Sequence, residues 1–218
     1  MKDLFYRYRH AWVLSYAFIY LPWFLYLEKK VTSHYHIMHV AIDDYIPFNE
    51  YFIIPYLLWF FYVSAAIFYF FFADVKDYYK LCTMLFTGMT ISLMICTVFP
   101  NGTDFRPVID PDKNIFSYIV SYLYSKDTCT NVFPSIHVYN SICVYIALSH
   151  SEKLKQYRLL QAGSFLLMVS ICLATVFLKQ HSAFDGLGAL VMASIMYQFV
   201  YSGSYVQGRN EVSEKAIG

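Results

Sequence analysis

Apolar residues in this chain gather in blocks of about 17 to 23, far longer than the runs of a soluble core. About 20 apolar residues carry a helix across a bilayer core. Inside that core every backbone N–H and C=O must be bonded within the chain, which leaves helices or a closed barrel. The alternating pattern of a barrel strand is absent. The blocks therefore read as six spans, roughly Ala11–Leu27, Tyr51–Ala73, Leu81–Phe99, Val132–Leu148, Leu159–Leu178 and Ala183–Tyr201. Composition agrees: 14% of the 218 residues are charged, against about 25% in a soluble domain. The expected fold is all-α, a polytopic membrane protein with six transmembrane helices.

Lysine and arginine in the loops set the orientation. With the N-terminus cytoplasmic, ten fall inside and six outside, and two of those six are candidates for site chemistry. N- and C-termini are thus expected in the cytoplasm. The longest loop, between the third and fourth spans, opens on Pro100-Asn101-Gly102 and carries Ile115, Tyr118, Ile119, Tyr122 and Leu123 at helical spacing. That pattern predicts a short interfacial helix. Residues 1–202 form one domain in this reading, followed by a polar tail, 203–218, and a cleaved leader is not expected. Net charge is near zero, so nucleic acid is not an expected partner. Four of the five cysteines lie in apolar blocks, and none has metal-ligand spacing.

Polar residues cluster at three places: Asp104-Phe105-Arg106-Pro107, Phe133-Pro134-Ser135-Ile136-His137, and Lys179-Gln180-His181 with Asp185 following. Under six spans all three emerge on one face, the non-cytoplasmic one. Each has a bland reading by itself. Arg106 is a solvated loop charge, Ser135 a helix cap, His137 an interfacial histidine, His181 with Asp185 a helix-face pair, and Lys179 a snorkelling cation. His34, His36 and His39 make a further cluster, read as a polar loop rather than a metal site.

Together the three clusters hold the parts of a phosphoryl-transfer site. Such a site needs fixed positive charge on the phosphate oxygens, a nucleophile, and an acid for the leaving oxygen. Arg106 offers a guanidinium fork and Lys179 a point charge. The start of the fourth helix around Ser135 offers backbone N–H groups. His181, oriented by Asp185, suits the nucleophile, and His137 the general acid. No cofactor and no metal are expected.

The ordered set Arg-Pro, Pro-Ser-x-His and His-x-x-x-Asp resembles the type 2 phosphatidic acid phosphatase superfamily of membrane lipid phosphatases, which has a six-helix core. The family's fuller pattern is Lys-x6-Arg-Pro, Pro-Ser-Gly-His and Ser-Arg-x5-His-x3-Asp. In this chain Phe99 stands at the first lysine, Ile136 at the glycine, and Ala174-Thr175 at Ser-Arg. The motif style is similar to the inositol phosphorylceramide and sphingomyelin synthase branch. The resemblance implies a phosphohistidine on His181, with Asp185 orienting it, His137 protonating the leaving group, and Arg106 and Ser135 holding phosphate. The expected function is hydrolysis of a lipid phosphate or diphosphate. Alternatives are transfer of a phosphorylated headgroup to a lipid alcohol, and a non-catalytic lipid-binding protein or transporter. The expected partners are a lipid phosphate and membrane lipids; the particular lipid and the oligomeric state are left open.

Overall fold

The computed structural model of the protein describes residues 8–31 and 34–202; the tail expected over 203–218 lies outside them. The fold is mostly helical. Helix α1, Arg9–Lys30, begins as a 3-10 turn and becomes α-helical at Ala17. Helix α2 is Glu50–Ala73, its first turn capped by the Asn49 side chain. Asp74 then turns the chain within one residue. Its extended backbone stops α2, and its carboxylate accepts from Lys76 and Asp77 N–H to start α3, Val75–Val98. For that reason α3 starts six residues before the expected Leu81.

Helix α4, Ile115–Lys126, forms in the long loop and is capped by Asn114. Helix α5 is Ile136–His150, α6 is Arg158–Phe177, and α7 is Ala183–Tyr197 with a π-helical continuation to Ser202. Five helices, α1, α2, α3, α6 and α7, are long and apolar enough to cross a membrane, consistent with a multi-pass membrane protein. The fourth block differs from expectation. Its helix starts at Ile136 rather than Val132, because Ser135 caps it, and it has 15 residues. At 1.5 Å per residue that is about 22 Å.

Short as it is, α5 is the centre of the bundle, packing on α2, α3, α6 and α7. Tyr139, Cys143, Val144 and Ala147 of α5 are buried against Leu81, Met84 and Leu85 of α3 and Ala189 and Ala193 of α7. The Tyr139 hydroxyl donates to the Met84 carbonyl at 2.7 Å. Helix α1 packs on α3 through Tyr20, Leu27, Leu93 and Cys96. Outward-facing aromatics such as Phe60, Phe61, Phe68 and Phe72 leave α2 with an exposed apolar surface. That is the profile of a helix solvated by hydrocarbon rather than water.

At the end of the bundle where α3 stops and α5 starts, the loops are tied together. Strand β1, His36–Ile37, pairs in parallel with β2, Asn101–Gly102, and Gly102 also bridges to Thr130. Asn101 anchors the junction: its Oδ1 accepts from Phe133 N at 2.7 Å, and its carbonyl accepts from Asn131 N. The backbones pass so close that a Cβ on Gly102 would fall 2.6 Å from the Cys129 carbonyl oxygen.

Candidate active site

The end of α6 does most of the positioning. Leu178 closes the helix, and the chain folds back so that the Thr175 carbonyl accepts from both Gln180 and His181 N–H at 3.0 Å. Lys179 takes a left-handed conformation, φ 52°, to make the turn. A non-glycine residue there costs about 1 kcal/mol or more. Two hydrogen bonds from its own ammonium offset that cost, 2.7 Å to the Asp43 carbonyl and 2.5 Å to the Ile46 carbonyl.

Beyond the turn, α7 opens with a capping box: Ser182 accepts from the first turn, and Asp185 Oδ2 accepts from Ser182 N at 2.9 Å. Asp43 supports the same corner, its carboxylate accepting from Ser182 Oγ at 2.5 Å and Ala183 N at 2.8 Å. His181 is thereby fixed at 7% exposure, with Nδ1 3.4 Å from Asp185 Oδ2. That is longer than a well-formed hydrogen bond.

His137 lies one residue inside α5. Two rings of α2 grip it: Tyr56 at 4.6 Å and Trp59 at 4.3 Å between centroids. The His137 and His181 rings stand edge to face at 5.7 Å. Both line a cavity of about 50 Å³, shared with Glu28, Arg106, Asp127 and Gln180 among others.

Arg106 is held from the loop after α4. Nη1 donates to the Asp127 carbonyl at 2.7 Å and Nη2 to the Thr128 carbonyl at 2.8 Å; Nη2 also donates to Gln180 Oε1. The guanidinium lies over the Tyr124 ring at 4.8 Å. Its Nε has no partner, and neither has Nε2 of Gln180, which is 2% exposed. Two buried N–H groups are therefore unpaired on residues that share the cavity with the two imidazoles. Asp127 Oδ2 stands 3.5 Å from Arg106 Nη2. Although 37% of its side chain is accessible, the protein packed around its carboxyl raises it above the ordinary carboxylate range, against the pull of Arg106.

Arg106, His137 and His181 are thus brought together, with Asp185 behind His181. Two expected phosphate ligands are not on the cavity wall. Lys179 spends its ammonium on the loop carbonyls instead. Ser135 is fully buried; its Oγ accepts from Val138 N, and its own N–H donates to the Asp185 carbonyl. The guanidinium fork is likewise mostly committed to carbonyls rather than open.

Residues that sequence reading passed over line the cavity: Gln180, Asp127, Glu28, Thr128 and Asn131. Only Gln180 carried a signal, its adjacency to His181. The histidine cluster behaves as loop structure: His36 stacks on Phe99 at 4.3 Å and His39 bonds Asp44 at 2.8 Å. Among the described residues no group of three His, Cys, Asp or Glu is placed to hold a metal ion.

Neither the comparison with curated proteins nor that with solved structures gave a match. A family model described as PAP2 superfamily matches residues 78–209, which takes in most of α3, the long loop, α5, α6 and α7 with both histidines. That match covers more than half of the chain, and the chain belongs to the PAP2 superfamily.

Proposed function

We propose that the protein is a lipid phosphatase acting through a phosphohistidine, on the non-cytoplasmic side of its membrane. Membership of the PAP2 superfamily supports lipid phosphate chemistry of the phosphatase or phosphotransferase type. The observation that carries the finer reading is the pair of imidazoles 5.7 Å apart on one small, polar-lined cavity. Arg106 and Gln180, each with an unpaired N–H, line the same cavity.

In this reading Asp185 faces Nδ1 of His181 and leaves Nε2 for phosphorus. The Nε2–P bond forms as the ester P–O bond breaks, and His137 gives its proton to the leaving lipid oxygen. Water then attacks phosphorus, His137 takes the water proton, and the P–N bond breaks to release phosphate. Arg106 Nε and Gln180 Nε2 serve the non-bridging oxygens. No step calls on a metal, so turnover is expected to persist in a chelator. Lys179 and Asp43 are positioning residues here, and Ser135 is a helix cap.

The membrane arrangement belongs to the same proposal. The short α5 is taken as the sixth span, since the chain must cross between α3 and α6 for Arg106, His137 and His181 to share a face. Helix α4 is taken as interfacial: Ile115, Tyr118 and Tyr122 are exposed along one side, while Val120 is buried. The excess of lysine and arginine on the opposite loops supports cytoplasmic termini. Residues 1–202 are taken as a single catalytic domain.

A second reading is transfer of a phosphorylated headgroup to a lipid alcohol, favoured by Ile136 and Lys179-Gln180 where the phosphatase pattern differs. Labelled lipid phosphate, incubated with purified protein with and without diacylglycerol, separates the two. Free phosphate in both conditions is expected; label appearing in a second lipid species, distinct from the substrate, only when the alcohol is added would favour transfer. His181→Ala is expected to bring turnover to background and abolish the acid-labile label on protein. His137→Ala should cost about 10²–10⁴-fold. Full activity in His181→Ala would overturn the mechanism.

A further inference from the structure

The charge balance of the cavity is poor for a bare phosphate. A phosphate monoester carries about −1.5 to −2 at neutral pH. Arg106 is the one lysine or arginine among the lining residues, and two carboxylates, Glu28 and Asp127, line the same space. Lys179 is turned to the loop carbonyls. Phe99 and Thr175 stand at the two cation positions of the fuller motif.

Unsatisfied groups on the polar wall are of two kinds. The donors are Arg106 Nε and Gln180 Nε2, both without partners. Acceptors sit at Glu28, on α1, and at Asn131. Glu28 Oε2 accepts from Thr128 Oγ1 at 2.6 Å and Oε1 from Asn131 Nδ2 at 2.9 Å. A carboxylate has about four acceptor sites, so both oxygens keep capacity. Asn131 Oδ1 is buried and has no partner. Thr128 joins the two, its carbonyl accepting from Arg106 and its hydroxyl donating to Glu28. A wall that carries a carboxylate and an unpaired amide oxygen disfavours a bare phosphate. It fits a group that brings N–H or O–H donors of its own.

We propose that Glu28 and Asn131 form a headgroup subsite, receiving an N–H or O–H donor carried a few bonds from the phosphate. This rests on the phosphoryl-transfer reading and names its substrate class: a small amine- or hydroxyl-bearing phosphorylated headgroup, preferred over a phosphate without donors. Cavity size limits the group to a small one. Glu28 would then do more than tie α1 to the loop. A tether needs only its hydrogen bonds to Thr128 and Asn131, which glutamine can partly replace, whereas the subsite needs its charge.

The test is a thermal-shift titration of the full chain in detergent micelles with methyl phosphate, phosphoethanolamine and glycerol phosphate. The two donor-bearing esters are expected to bind about tenfold more tightly than methyl phosphate, the worth of one hydrogen bond to a charged group. Their ranking tells ammonium from hydroxyl recognition. Glu28→Gln should bring the ratios close to one while methyl phosphate binding improves. Methyl phosphate binding as well as both others overturns the subsite, as does a preference unchanged in Glu28→Gln. If that variant fails to fold, the wild-type ranking decides. The same titration in His181→Ala separates this inference from the catalytic one. Turnover undiminished in that variant, with the ranking intact, would remove the phosphohistidine and leave the subsite standing.

Discussion

Asp127 meets the cavity with its carboxyl and Arg106 with its carbonyl. Its carboxyl is raised by the surrounding protein, so the folded chain holds that proton more tightly than the unfolded chain does. The ionised form therefore costs stability above the shifted value, and that cost fades as pH falls through it. Asp127→Asn keeps the shape and the carbonyl contact. It is expected to raise Tm at about pH 8, and that gain should shrink as pH falls to about 3, below the ordinary carboxylate range. Equal gains at both pH values would place the effect elsewhere. Residue-level reading of the sequence singled out His137, His181 and Arg106, and the structure gathers these three on one cavity. That reading did not anticipate the place of Lys179. A lysine two residues before a histidine reads as a free cation, yet the left-handed turn carries its ammonium to the carbonyls of Asp43 and Ile46. No local pattern encodes that direction.

At the level of elements, the loops that cap the site are pinned by backbone rather than side-chain packing. Gly102 pairs with Ile37 and bridges Thr130, and its missing side chain admits the Cys129 carbonyl. That carbonyl belongs to the segment whose Asp127 and Thr128 hold Arg106. Gly102→Ala forces backbone rather than a flexible side chain to move, a change expected to cost about 1–3 kcal/mol. Thermal unfolding in detergent should register that loss, and phosphate release should fall with it, because Arg106 loses its carbonyl partners. Unchanged Tm and turnover would mean the loops have slack that the geometry denies. Helix boundaries followed the same logic. Asp74 and Ser135 each start a helix by capping, which moved α3 earlier and α5 later than the apolar blocks implied. Hydropathy locates what is apolar; caps decide where the helix begins.

For the whole molecule, the topology turns on the short α5. It packs against four other helices, so its surroundings are largely protein, and a helix shorter than the bilayer core is tolerable there. In the proposed six-span arrangement, a crossing by α5 would put the loop after α3 and the loop between α5 and α6 on opposite sides of the membrane. Single cysteines at exposed positions in a Cys129→Ser background measure this: Asp112→Cys is expected to label from the non-cytoplasmic side, and Glu152→Cys only after permeabilisation. Labelling of both from one side would overturn the six-span arrangement and the site orientation with it.

By itself the sequence determined the helical, membrane-type architecture, because hydropathy and backbone satisfaction in lipid act on contiguous residues. It also determined the family, because short motifs in a set order survive as local text. Tertiary structure alone decided the cavity's composition. Glu28 comes from α1 and Asp127, Thr128 and Asn131 from the loop before α5, about a hundred positions away, and hydrogen bonds between the two bring them together. A charge's partner depends on how the helices pack, and that packing is a property of the whole chain.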